Sequence, residues 1–163
     1  MRHPLAATLL VAAICILWPA PSFAQIEEVR IGVDGLTCNL CAAGLERSLR
    51  KLDSVSSVRI ALADDMAHVT LKAGAAFDPE TFRAAVTNAG QRTRHVELRL
   101  SGAVERQDGR YSLRPGAGSS LAVGASSAAK LEPYVGKVVR VHARVSSPAR
   151  SPWELDLTDV AVR

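Results

Sequence analysis

An α+β fold, with two helices on one face of an antiparallel sheet and a small β-rich unit after it, is predicted by three features of the sequence. Apolar residues alternate with polar ones in several short runs and recur at every third or fourth position in two longer ones. These runs follow the order strand, helix, strand, strand, helix, strand. Beyond about residue 100, short alternating runs are punctuated by Gly, Ser and Pro. With 48% hydrophobic and 22% charged residues among 163, the chain has enough apolar material to bury a core.

The chain opens with Met1-Arg2-His3, an apolar run from Leu5 to Trp18, the prolines Pro19 and Pro21, and Ser22-Phe23-Ala24. That is the pattern of a secretory signal peptide, residues 1–24, cleaved after Ala24. The apolar run is shorter than the roughly 20 residues that a spanning helix needs, so the mature chain is not expected to be membrane-embedded. Cys15 follows Ile14 rather than a small residue, so it reads as apolar filler of the leader, not as a lipid attachment point.

Residues 25–99 supply the first domain. Val29, Ile31 and Val33 alternate with Glu28, Arg30 and Gly32 to give a half-buried strand that stops at Asp34-Gly35. From about Asn39, Cys41, Leu45, Leu49 and Leu52 fall on one face of an amphipathic helix. Val58, Ile60 and Leu62, then Ala67, Val69 and Leu71, read as an antiparallel hairpin over 56–72, turning at Asp64-Asp65. Asp78-Pro79 opens a second helix as cap and first-turn proline, Phe82, Ala85, Val86 and Ala89 line its buried face, and Gly90 ends it. Val96, Leu98 and Leu100 make the fourth strand. The order βαββαβ is the split, ferredoxin-like arrangement.

Residues 100–163 form the second unit. Ala103-Val104, Tyr111-Ser112-Leu113, Leu121-Ala122-Val123, Val139 to Val145 and Leu155 to Val162 read as five short strands around a helical turn at Lys130 to Tyr134. This is similar to a small OB-like barrel of bacterial exported proteins, and the reading is a docking or stabilising module. Such barrels bind oligonucleotides through aromatics on a basic face. Here Tyr111, Tyr134 and Trp153 read as core or rim residues. The net charge of +4 is mild; nucleic acid is not an expected partner.

Gly35-Leu36-Thr37-Cys38-Asn39-Leu40-Cys41 lies between the first strand and the first helix. Two thiolates separated by two residues can converge on one ion, and soft sulfur selects Cu(I), Hg(II) or Zn(II) over Mg(II) or Ca(II). The helix N-terminus lowers thiol pKa and favours the thiolate. Cys38, ahead of the helix, should be the more exposed ligand, and Cys41 the more buried. The segment from Gly35 to Leu49, G-L-T-C-N-L-C-A-A-G-L-E-R-S-L, resembles the heavy-metal-associated domain of copper chaperones, of metal-pumping P-type ATPase tails and of periplasmic mercury-binding proteins. The resemblance extends over about Glu27 to Arg99. It implies a non-enzymatic, exported carrier that binds one soft ion through Cys38 and Cys41 and passes it by ligand exchange to a membrane metal transporter or another periplasmic metalloprotein.

Two thiolates suit Cu(I) first and Hg(II) next. Zinc usually takes four ligands, which ranks Zn(II) and Cd(II) third. Zinc-exporting members of the family carry an acidic residue beside the first cysteine, where this chain has Thr37; Asp34 reads as strand-end and turn chemistry. Leu36 stands where the family most often has methionine and is expected to point into the core. Gln91 replaces the lysine or aromatic often found in the loop facing the metal, and Arg92 and Arg94 offer positive charge nearby. Two such loops could share an ion in a four-sulfur dimer.

Other readings of the cysteines are a structural disulfide, open to any exported chain, and a thiol-disulfide redox module. Against the redox module, Thr37 is not aromatic and the segment 25–99 is too short for a thioredoxin-like fold. His68, His95 and His142 read as solvated surface histidines, and Met66 as lying at the hairpin turn, far from the cysteine loop. No nucleophile-base arrangement or phosphate loop stands out.

Overall fold

The computed structural model describes residues 25–116, 119–146 and 152–162. The leader expected over 1–24, with Cys15, lies outside these residues. The first half follows the expected order: β1 (Ile26–Asp34), α1 (Asn39–Arg50), β2 (Val55–Ala61), β3 (Met66–Leu71), α2 (Pro79–Asn88) and β4 (Arg92–Gln107). The second half adds β5 (Arg110–Arg114), β6 (Leu121–Ala122), α3 (Ala125–Leu131), β7 (Val138–Ser146) and β8 (Glu154–Val162). A 3-10 turn at Leu62–Asp64 and left-handed Asp65 link β2 to β3.

In the first half the strand order is β2-β3-β1-β4, all antiparallel. Val29, Ile31 and Val33 of β1, Ala67 and Val69 of β3, and Val96 and Leu98 of β4 meet Leu45, Leu49, Phe82 and Val86 of the helices in the core. The Ser48 hydroxyl donates to the Ala85 carbonyl at 2.7 Å and ties α1 to α2. The Asp78 carboxylate caps α2 by accepting from the Glu80 and Thr81 amides, as the Asp-Pro signal implies.

β4 is longer than the sequence suggests. Ser101-Gly102 does not end it, because the missing side chain at Gly102 admits the Arg114 carbonyl; a Cβ there would sit 3.2 Å from that oxygen. The strand runs on to Gln107 and so passes through the boundary expected at 99/100. Its first part pairs with β1, its middle with β7 and its last part with β5. Beyond β5, β6 pairs with it, and Val123 bridges in parallel to Leu155 of β8, which pairs with β7. The five expected strands are therefore linked in a ring around Val104, Leu113, Leu121, Leu131, Val141 and Leu155. The helix there begins at Ala125, earlier than the turn expected at Lys130. Tyr111 is buried, and Tyr134 and Trp153 pack on the core rim. Among the described residues no helix is long and apolar enough to cross a membrane.

The β4-β5 hairpin turns on Asp108-Gly109, both with positive φ (51° and 76°), between the paired residues Gln107 and Arg110. These are the angles of a two-residue type I′ turn. Gly109→Ala is expected to destabilise the chain by about 1 to 2 kcal/mol, the cost of a side chain in the left-handed region. Urea unfolding of the two forms measures it; equal midpoints would refute this account of the turn.

Candidate metal centre

Three connections gather at one end of the sheet: the loop from β1 to α1, the β2-β3 turn and the link from α2 to β4. Cys38 is the N-cap of α1, and its Sγ accepts the Cys41 amide at 3.0 Å. Cys38 is exposed and Cys41 half-buried, in the expected order. Their Cα atoms are 5.2 Å apart and the two sulfurs are joined as a disulfide. The donor set fits a soft ion once the pair is reduced: two sulfurs within one helical turn, beside free helix N–H groups. Gly35, at φ 92°, makes the left-handed step into the loop. Leu36 is buried in the core, as expected.

Two neighbours of the pair stand out: Leu40, which the sequence reading passes over, and Gln91, which it marks as a departure from the family's usual lysine or aromatic. Leu40, between the cysteines, is 77% exposed. Gln91 is only 8% exposed, and its side-chain amide donates to the Cys41 carbonyl at 3.2 Å. It is thus a buried tie between the α2-β4 link and the first turn of α1, and its Oε1 is buried without a hydrogen-bond partner. The sequence marks Gln91 as a departure from the residue common in that loop, but not as a tie to α1. Asp34 ends β1 and lies 3.6 Å from Arg94, so its carboxylate is engaged at the strand end.

Met66 corrects the sequence reading. The antiparallel pairing of β1 with β3 places Met66 opposite Gly32, and the Val33 amide donates to the Asp65 carbonyl at 2.9 Å. The β2-β3 turn is therefore at the same end as the cysteine loop, though Met66 itself is buried. Among the described residues no group of three or more His, Cys, Asp or Glu could hold a metal ion. The candidate centre thus rests on Cys38 and Cys41.

The histidines are less solvated than expected. His68 keeps 16% of its side chain exposed and meets Glu28 at 2.8 Å. His95 lies over Gly32, where a Cβ would stand 2.7 Å from Nδ1, and keeps 21% of its side chain exposed. Burial holds its pKa below the usual 6.5; Glu97 opposes this, while the charges of Arg144, Arg94 and Arg30 add to it. Glu97 receives a 2.9 Å hydrogen bond from Arg144 and lies 3.6 Å from Arg30, the cross-strand neighbours on either side. Burial pushes its carboxyl up, but the Arg144 hydrogen bond and the charges of His95, Arg144 and Arg30 outweigh this and hold it below its ordinary value.

The sign for His95 follows from proton linkage. Its folded pKa is below the unfolded one, so its contribution to stability is complete above 6.5 and is lost as pH falls through the folded value. His95→Gln is expected to flatten the fall in stability just below pH 6.5, read as urea midpoints at a series of pH values. An unchanged pH slope would show that His95 does not titrate in this way.

Comparison with known proteins bears on the same segment. Residues 30–92 match the family model of the heavy-metal-associated domain. Copper-transporting ATPase 2 of Homo sapiens is 34% identical over 74 residues, which is 45% of this chain and 5% of that protein. The N-terminal domain of PacS from Synechocystis PCC6803 is 26% identical, covering 42% of this chain and 94% of its own, with a TM-score of 0.36.

Proposed function

We propose, from the premise that residues 30–92 form a heavy-metal-associated domain, that this chain is an exported carrier or buffer of one soft metal ion. Cys38 and Cys41 hold the ion, Cu(I) first and Hg(II) next. The observation that carries this reading is the cysteine pair itself: two sulfurs at the start of α1, one of them exposed, with no group of three or more His, Cys, Asp or Glu formed there among the described residues. Two-coordinate sulfur suits Cu(I) and Hg(II), whereas zinc would need ligands from elsewhere.

The disulfide is the oxidised form of the site. A reductant of the thiol class, itself oxidised to a disulfide, supplies two electrons and two protons to give the thiols. The ion then displaces those protons and binds the sulfurs. Exposed Cys38 is the ligand from which an incoming thiolate starts exchange, while Cys41, held through its carbonyl by Gln91, keeps the ion until transfer is complete. A membrane metal transporter or a second periplasmic metalloprotein with a similar pair is the acceptor. Residues 100–163 serve as an OB-like docking or stabilising unit built onto β4.

Native mass spectrometry of the reduced chain with one equivalent of Cu(I), followed by addition of a CxxC peptide, tests the reading. One bound ion that moves to the peptide is expected. A chain that takes up no soft ion when fully reduced, or that catalytically reduces a test disulfide, would favour the redox alternative. Size-exclusion runs with and without the ion decide whether two chains share it, since a four-sulfur site doubles the mass.

A further inference from the structure

The outer edge of β8 is covered only in its first part. There the Gly124 amide donates to the Leu155 carbonyl at 2.9 Å, the Leu157 amide to the Ser127 hydroxyl at 2.8 Å, and Lys130 Nζ to the Leu157 carbonyl at 2.6 Å, so α3 and the residue before it stand where a strand would. Past Leu157 the register against β7 slips by one residue at Thr158, which is the extra residue of a β-bulge. Residues 159–162 then pair with β7 on one side, and among the described residues no strand pairs with them on the other. They include no proline or lysine, the residues that commonly blunt an edge.

The groups that this edge offers follow from alternation. The Val160 amide donates to the carboxylate of its own neighbour Asp159 at 2.9 Å, so it faces away from β7. Successive residues of an antiparallel strand turn their N–H and C=O to opposite sides, so Val162 faces outward as Val160 does. Val162 is 58% exposed, Asp159 and Ala161 are exposed, and Val160 is half-buried.

The order of residues says what fits there. Asp159-Val160-Ala161-Val162 is followed by Arg163. Laid antiparallel on a copy of itself about Ala161, the segment sets Val160 opposite Val162 and Asp159 opposite Arg163, and a two-fold axis makes each contact occur twice. Apolar pairs and opposite charges directly across strands both stabilise. The same register opposes the two valines whose backbone groups face outward, so hydrogen bonds and side chains agree. A pairing centred on Val160 would set Asp159 against Ala161 and lose the charge match.

We propose that this edge is a homodimer surface, on which β8 of two copies pair antiparallel about Ala161. The Val160 amide then passes from Asp159 to the second copy's Val162 carbonyl, and the freed carboxylate meets the second copy's Arg163. The surface lies at the far end of β4 from the cysteines: Val162 aligns through Val139 with Gly102, whereas β1 enters the cysteine loop at Asp34, opposite Arg92. Both cysteine loops stay free, and the pairing needs no ion.

Sedimentation equilibrium of the full chain, with the cysteines oxidised and no metal present, tests this over a wide range of concentration at low salt. One strand pair is a small interface, so a weak dimer that grows with concentration is expected. Asp159→Arg and Arg163→Asp should each raise its dissociation constant by about tenfold or more, since each of two symmetric contacts turns from attraction to repulsion. The double variant Asp159→Arg/Arg163→Asp should return it to within a few-fold of the unmutated chain. Hydrogen exchange at the Val160 and Val162 amides should slow as the dimer forms. A monomer at every concentration would overturn the proposal, as would a dimer indifferent to these charges or a double variant that fails to recover. A dimer that appears only with the ion would belong to the cysteine loops instead and would equally overturn it.

Discussion

Reduced and kept from oxygen, the chain is expected to take up one soft ion, and Cys38→Ser/Cys41→Ser none. The expectation rests on ligand count. Among the described residues no group of three or more His, Cys, Asp or Glu could hold an ion, so removing both sulfurs removes the donor pair to which the ion is assigned. A single change removes one of two ligands, and each should lower affinity by more than the roughly 10- to 100-fold that loss of a supporting neighbour costs. Cys38→Ser has a further consequence, because the Cys41 amide then caps onto a hydroxyl, which serves helices well. That variant should therefore keep α1 and the fold while losing the ion. Competition against a chromophoric Cu(I) ligand, with far-UV circular dichroism of the same samples, separates the effects. An ion retained by the double variant would move the site away from the cysteine loop altogether.

Leu100→Ala is expected to lower stability by about 2 to 5 kcal/mol, the range for a fully buried leucine truncated in a close-packed core. Leu100 has no exposed surface and stands on β4 between Ile26 of β1 and Val141 of β7. The cavity would therefore open where the two halves of the chain share a strand. Unfolding in urea, followed by the fluorescence of Trp153, which packs on Phe77 of the first half, and by circular dichroism of the whole, should give one transition that moves as a unit. Two separated transitions, with only one displaced, would show that residues 25–99 and 100–163 fold independently.

The element order of the first half was legible because each element there carries its own local signal. β1 alternates, α1 and α2 have apolar faces of helical period, and Asp78-Pro79 and Gly90 mark the ends of α2 by their backbone chemistry. The cysteine pair was legible for a related reason: adjacency in sequence places both sulfurs in one turn. The continuation of β4 was hidden, since Ser101-Gly102 carries the composition of a turn. Only the nearness of Arg114, distant in sequence, makes glycine the fitting residue within that strand. The shielding of His68 and His95 was hidden for the same reason, as Glu28 and Gly32 become their neighbours only through strand pairing.

The sequence by itself thus determined the βαββαβ order, the polarity of each face and the adjacency of the two cysteines, because these depend on period and on neighbours along the chain. Tertiary structure alone decided that Gln91 holds the Cys41 carbonyl, that the β2-β3 turn shares the cysteine end and that one strand serves both halves. Such contacts join residues tens of positions apart, and their partners are chosen by strand register and core packing, which no local pattern encodes.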